Sequence, residues 1–197
     1  MSITLPEKPG VRTAKPRLVD TGAIQRSPLG TWAQRLNRPG NHFAIDVVAP
    51  TTRGADVGRI LISRLVRGME EGLLLPFVQD VKPCVSADPV IDGAGQAGRT
   101  LNLRGWQAAA WAKEGQFFSI IQGGRRYVHM ITAQALAGSD GKMVVSIYPM
   151  LRVEPADGAV CEFQRPMIEG FMVGDNLEWQ LQTAPFIDVS FSVEEAA

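Results

Sequence analysis

Residues of the types that do chemistry are few in this chain, and their spacing limits what they can do. Gly93-Ala94-Gly95-Gln96-Ala97-Gly98 matches GxGxxG, with Val90 and Ile91 before it. Glu114 lies about 20 residues further on, where a ribose-binding acid would stand. Such a fingerprint holds a pyrophosphate only where it opens a helix, whose first N–H groups and positive dipole end meet the charge. Here RTLNLRGW follows, with Leu101 and Leu103 alternating as in a strand, and Asp92 interrupts the run before it. The pattern predicts a flexible turn leading into a strand and no cofactor. Ser119, His129 and Asp140 are the ingredients of a nucleophile–base–acid set, but no nucleophile elbow or other local signature joins them. The only histidines are His42 and His129, and the only cysteines are Cys84 and Cys161. The thiols read as reduced and packed as small apolar groups. With so few ligands and acid–base groups, metal and hydrolase chemistry lacks its parts. The expectation is a protein that is not an enzyme, with no catalytic, cofactor-binding or metal-binding residues.

Two further groups could touch nucleic acid. Trp106 and Trp111, with Arg99, Arg104 and Lys113 near them in sequence, could stack single-stranded bases. Asp92 and Glu114 dilute that basic patch, which favours packing in a barrel core or an interface. Gly123-Gly124-Arg125-Arg126 is a basic hairpin tip, a phosphate contact or, as its turn chemistry favours, a solvated turn. Twenty basic residues balance 20 acidic ones, so no global basic field supports nucleic-acid binding. Apolar residues make up 45% of the chain, enough for a sizeable core. No apolar run approaches the ~18 residues that span a bilayer. MSITLPEKPG has no apolar h-region, so no secretory signal and a cytoplasmic folding site are expected.

The elements that must position these residues are short. The chain has 20 Gly and 13 Pro, which favours many turns and short strands. Residues 1–41 read as an extended arm with at most one or two short strands, because Pro6, Pro9, Pro16, Pro28 and Pro39 break ladders and helices. Lys8, Arg12, Lys15, Arg17, Arg26, Arg35 and Arg38 face only Glu7 and Asp20 there. The arm is therefore basic, suited to an acidic surface of an adjacent copy or, on the rival reading, to DNA. His42–Ala49 alternates as a strand, Thr51 and Thr52 offer a helix N-cap, and the pattern over 53–71 is helical. Val57, Ile60, Leu61, Arg64, Leu65 and Gly68 set its stripe, widened by Ile62, Val66 and Met69, and Gly72 sits at the C-terminal cap position. Leu73–Val78 is strand-like. FFSIIQ–GG–RRYVHMIT is the strongest hairpin signal, and AQALAG at 133–138 reads as one helical turn. Short strands continue to FIDVSFSV, where Ile187, Val189, Phe191 and Val193 share one parity.

A longer pattern runs from Arg38-Pro39-Gly40 through the strand, the helix and GLLLPF. It continues as DGAGQAGRTLNLRG and EGQFFSIIQGGRRYVHMITAQALAGSDGKMVVSIYPMLR, and closes on FSVEEA. This resembles small tail proteins of long-tailed bacteriophages and prophages, of the distal-tail or baseplate-hub kind. The middle, carried by Arg99–Gly105, Gly115–Phe118 and Ile147-Tyr148-Pro149 before Arg152, also resembles β-modules of other phage virion proteins. The resemblance covers residues 38–195. It implies a mainly-β fold: a tail-tube-like β-sandwich with one flanking α-helix, from residues 42–84 and 153–197, and an inserted or appended small β-barrel-like module over 85–152. It implies a structural virion protein forming a ring, most often of six copies, at the distal end of the tail. Its partners would be its own copies, the tail tube protein and the baseplate hub or tip proteins, with no membrane and with DNA contact only in passing through the lumen. Its place would be the virion tail, assembled in the bacterial host cytoplasm. The alternatives are a tube, tail-completion or head–tail joining protein, or a glycan- or nucleic-acid-binding β-module. Trp32, Arg35, Arg38, Arg125 and Arg126 are the candidate interface residues.

Overall fold

The computed structural model describes residues 2–6, 10–27, 30–50, 52–53, 55–81, 86–181 and 186–196. Along the chain run β1 (Ile3–Thr4), β2 (Thr13–Val19), β3 (Ala23–Arg26), β4 (Ala33–Leu36), β5 (His42–Val48) and β6 (Thr52–Arg53). The helix α1 (Ala55–Glu71) and β7 (Leu73–Pro76) follow. Then come β8 (Val90–Ile91), β9 (Thr100–Arg104), β10 (Trp111–Ala112), β11 (Phe117–Gln122), β12 (Arg125–Ala133), β13 (Ala135–Leu136) and β14 (Lys142–Tyr148). The chain closes with β15 (Cys161–Glu162), β16 (Met167–Met172), β17 (Trp179–Leu181) and β18 (Phe186–Glu195).

Among the described residues these make four sheets and one helix. An eight-stranded sheet has the order β1-β7-β16-β18-β5-β2, with β17 and β6 also paired to β18. A six-stranded sheet has the order β15-β11-β12-β14-β9-β8, and β10–β13 and β3–β4 are two-stranded ladders. The expected tail-tube-like sandwich with a small barrel-like module is corrected by this topology. Among the described residues no sheet closes or curls: β8 and β15, the outer strands of the six-stranded sheet, share no ladder, and only an isolated bridge joins Val90 to Val160 just before β15. The fold is mixed, with a single large sheet carrying the helix. The physical reason lies in β11–β12, which alternates with apolar residues on both faces. Phe118, Ile120 and Ile131 fill the core of the six-stranded sheet. Phe117, Val128 and Met130, on the opposite parity, pack into the core of the eight-stranded sheet. A strand pair wanted on both faces is satisfied by stacking one sheet on the other.

One face of the eight-stranded sheet collects Phe43, Ile45 and Val47 from β5 with Val189, Phe191 and Val193 from β18. The alternation read in FIDVSFSV therefore points as expected over the described part. Part of that face is covered by α1 through Leu61 and Leu65, and part by β11–β12, where the Phe117 ring stands 5.3 Å from Phe43 and 4.7 Å from Phe77. The helix stripe is narrower than predicted, since Ile60 and Val66 are exposed. At Gly68 the helix lies close against the start of β7: a Cβ there would stand 2.2 Å from Leu73 Cδ2. Gly72, at φ +83°, ends the helix by donating to the Gly68 carbonyl at 2.9 Å.

Three local expectations differ. Thr52–Arg53 pairs with Phe186 and Ile187 of β18, so that segment is a strand and not a helix cap; Thr51 lies outside the described residues. Residues 133–138 make no helical turn, because Ala135 and Leu136 pair with Ala112 and Trp111. Four strands, not one or two, form within residues 3–36, and β2 pairs with β5 along its whole length. Pro16 is tolerated because β2 is an edge strand.

Candidate functional site

The hairpin β3–β4 leaves the body of the protein between β2 and β5. Its register pairs Ala23 with Leu36 and Arg26 with Ala33. Strand alternation puts Ile24, Arg26 and Arg35 on one face and Leu36 on the other. Only Ala23 among its eight strand residues is half-buried, and Ile24 and Trp32 are 59% and 61% exposed. None of the described residues of β3 and β4 belongs to either core.

The base of this hairpin is held rigidly. Asn41 is buried, and its Oδ1 accepts from the Thr21 backbone N–H at 2.8 Å and the Thr21 hydroxyl at 3.0 Å. Its Nδ2 donates to the Tyr148 hydroxyl at 2.7 Å, which ties the hairpin base to β14 of the six-stranded sheet. Arg35 pairs with Asp20 and donates to Asn37 at 3.1 Å. The Gly22 N–H and the Arg35 guanidinium hold the Asp20 carboxyl below the usual carboxylate range. A Cβ at Gly22 would stand 2.9 Å from the Leu36 carbonyl, so the two strands enter as closely as backbone allows.

Of the five candidate interface residues, Trp32, Arg35 and Arg38 belong to this exposed hairpin and its exit. Arg125 and Arg126 sit apart, at the tip of β11–β12. Gly123 and Gly124, at φ +60° and +78°, make the two-residue turn that the sequence predicts. Arg125 is exposed. Arg126 is half-buried and turned inward: its Nε donates to Glu162 at 3.1 Å, and its Nη1 lies 3.7 Å from Glu169. These two carboxylates neutralise the charge that a phosphate would need.

The other sequence candidates are dispersed. Phe118 pairs with His129 and Ser119 with Val128, so Ser119 and His129 project from opposite faces of one sheet. The Ser119 hydroxyl donates to Glu162 at 2.6 Å. His129 Nδ1 bonds the Pro149 carbonyl at 2.9 Å, and burial pushes its pKa from 6.5 down to about 4. Asp140 caps the turn before Lys142. The GxGxxG segment is a turn entering β9, and Gln96 fills it, donating to the carbonyls of Asp92, Gly93 and Asn102. Trp106 is buried edge-on against Phe163 at 4.9 Å, while Trp111 is exposed, so the two make no common stacking platform. Burial raises the Cys161 thiol pKa, and Cys84 lies outside the described residues. Among the described residues no group of three or more His, Cys, Asp or Glu could hold a metal ion, and no helix is long and apolar enough to cross a membrane.

Three residues to which the sequence pattern assigns no role hold the framework, one at the hairpin base and two between the sheets. Asn41 follows a Pro-Gly turn and carries no local mark. Arg152 and Glu195 form an ion pair at 2.6 Å, with the Glu195 side chain fully buried. Glu195 also accepts from the backbone N–H of Val128 at 2.8 Å and of Phe43 at 3.3 Å, which pins the two sheets together. Burial raises the Glu195 pKa, and Arg152 and the two N–H groups oppose that rise. The signal was present: Glu195 continues the parity of Val189, Phe191 and Val193. No protein-family model matches the chain, and a search of curated proteins finds no relative.

Proposed function

We propose that this chain is a structural subunit of a ring at the distal end of a long phage tail, where it joins the tail tube to the baseplate. One observation carries the assembly part of this reading: the hairpin β3–β4 is built, anchored at its base and left uncovered. A two-stranded hairpin alone is at best marginally stable in water. Holding Ile24, Trp32 and Leu36 in solvent on such an element makes sense when a second surface receives them. The position in the tail comes from the resemblance over residues 38–195. On this reading the partners are further copies of the chain, six to a ring, with the tail tube protein on one side and baseplate hub or tip proteins on the other. The work done is adhesion and alignment, without turnover of a substrate.

The mass of the full-length protein in solution and on purified tails tests this. A closed oligomer, with several copies per particle, is the expected result. A chain that stays monomeric at every concentration and is present as a single copy per virion would end the ring reading.

A further inference from the structure

We infer that a recess on the outer face of the six-stranded sheet binds a neutral glycan, with a sugar ring resting against Trp111 and Leu136 and its hydroxyl groups held by Asn102 and Asp140. The recess has a volume of about 570 Å3 and lies over β9 and β14. The register builds it. Asn102 pairs with Val144, and the alternation that buries Leu101, Leu103, Met143 and Val145 turns Asn102 and Val144 outward. Leu136 forms one wall. It pairs directly with Trp111, so the two side chains leave the same face of the β10–β13 ladder as neighbours. Trp111, Leu136 and Val144 are all exposed.

Both ends of the recess are fixed before a ligand arrives. At one end Gln96 of the Gly-rich turn donates to the carbonyls of Asp92 at 2.9 Å and Asn102 at 3.2 Å, and accepts from the Asn102 backbone N–H at 2.7 Å. The GxGxxG segment thus serves as a brace for this wall. At the other end Asp140 Oδ1 accepts from the Lys142 backbone N–H at 3.1 Å. Lys142 Nζ stands 2.8 Å from one oxygen of Asp92, and Arg104 stands 3.2 Å from the other. The cation that lines the recess is therefore engaged, and nothing there favours an acidic ligand. Among the described residues neither the Asn102 carboxamide nor Asp140 Oδ2 has a hydrogen-bond partner. A sugar ring carries hydroxyls at its rim and C–H groups on its face. The hydroxyls suit an amide and a carboxylate oxygen, and the C–H groups suit an exposed indole, whose ring face is negative. A few placed polar groups beside an apolar wall fix the orientation of a small ligand, and a site held in advance loses less freedom on binding.

Titration of the full-length protein with neutral tetrasaccharides of glucose, of galactose and of N-acetylglucosamine tests the assignment, followed through the indole N–H signals of the tryptophans. At least one of these sugars is expected to bind at millimolar concentration or below and to move the Trp111 signal, with the other tryptophans unmoved. Trp111→Ala and Asn102→Ala should each weaken binding about tenfold, and Trp111→Phe, which keeps a ring, should lose much less. Both positions are exposed, so the variants should melt with the unmodified protein. Absence of binding by every one of these sugars, binding that Trp111→Ala leaves intact, or signals that move only at other tryptophans overturns the sugar site. Each of these results leaves the ring reading as it stands, since the site does not depend on it.

Discussion

Hairpin β11–β12 turns on Gly123-Gly124 and carries Arg125 and Arg126. Hairpin β3–β4 turns between Arg26 and Ala33 and carries Arg35, with Arg38 just beyond it. Both look like basic loops in sequence. In the fold the first is the wall shared by two cores, and its Arg126 is held by Glu162 and Glu169. The described residues of the second belong to neither core, and Arg26 and Trp32 stay in solvent. A basic tip is therefore uninformative until the carboxylates around it are known. What marks a surface for assembly is apolar area that the chain orders and does not cover.

The largest test of this contrast is a pair of truncations. Phe118→Ala, which removes a ring stacked 4.5 Å from Phe163, should cost about 3–5 kcal/mol in denaturant melts. Ile24→Ala in dilute protein should cost less than about 0.5 kcal/mol. Comparable losses would mean that β3–β4 rests on a core of its own chain.

Acid should act through the buried hairpin next. His129 takes up a proton at about 4 when folded and at its ordinary 6.5 when unfolded. The unfolded chain binds more protons between those values. The stabilising contribution is thus complete above pH 6.5, falls as the pH drops toward 4, and is lost by up to about 3 kcal/mol below it. Melts across that range should show the slope, and His129→Gln should flatten it. An unchanged slope in the variant would assign the acid sensitivity to other groups.

Smaller again is the effect of the arginines. Arg126→Ala strands two half-buried carboxylates and should cost about 1–3 kcal/mol, against less than about 0.5 kcal/mol for Arg26→Ala. Equal effects would erase the distinction between the two tips. The smallest expected effect is none: NAD, NADP and ATP should not shift the melting temperature, because Gln96 already occupies the backbone groups of the Gly-rich turn. A shift abolished by Gly95→Val would restore a nucleotide site there.

Features that depend on local geometry are legible in the chain's own pattern. The Gly-Gly turn needs positive φ at two successive positions, and glycine alone accepts it freely. The helix follows from a 3.6-residue stripe closed by Gly72, and the inward residues of β18 follow from a period of two. The same alternation, carried two residues further, puts Glu195 on the core-facing side of β18. The rest depends on contacts between distant segments. That Ala135–Leu136 is a strand, that Thr52 pairs with β18, and that the sheets stack without closing depends on partners distant in sequence. Asn41 finds Tyr148 across 107 positions, and Phe43 finds Glu195 across 152. No window of neighbouring residues contains both members of such a pair, and the burial that gives each bond its weight exists only once both sheets are in place.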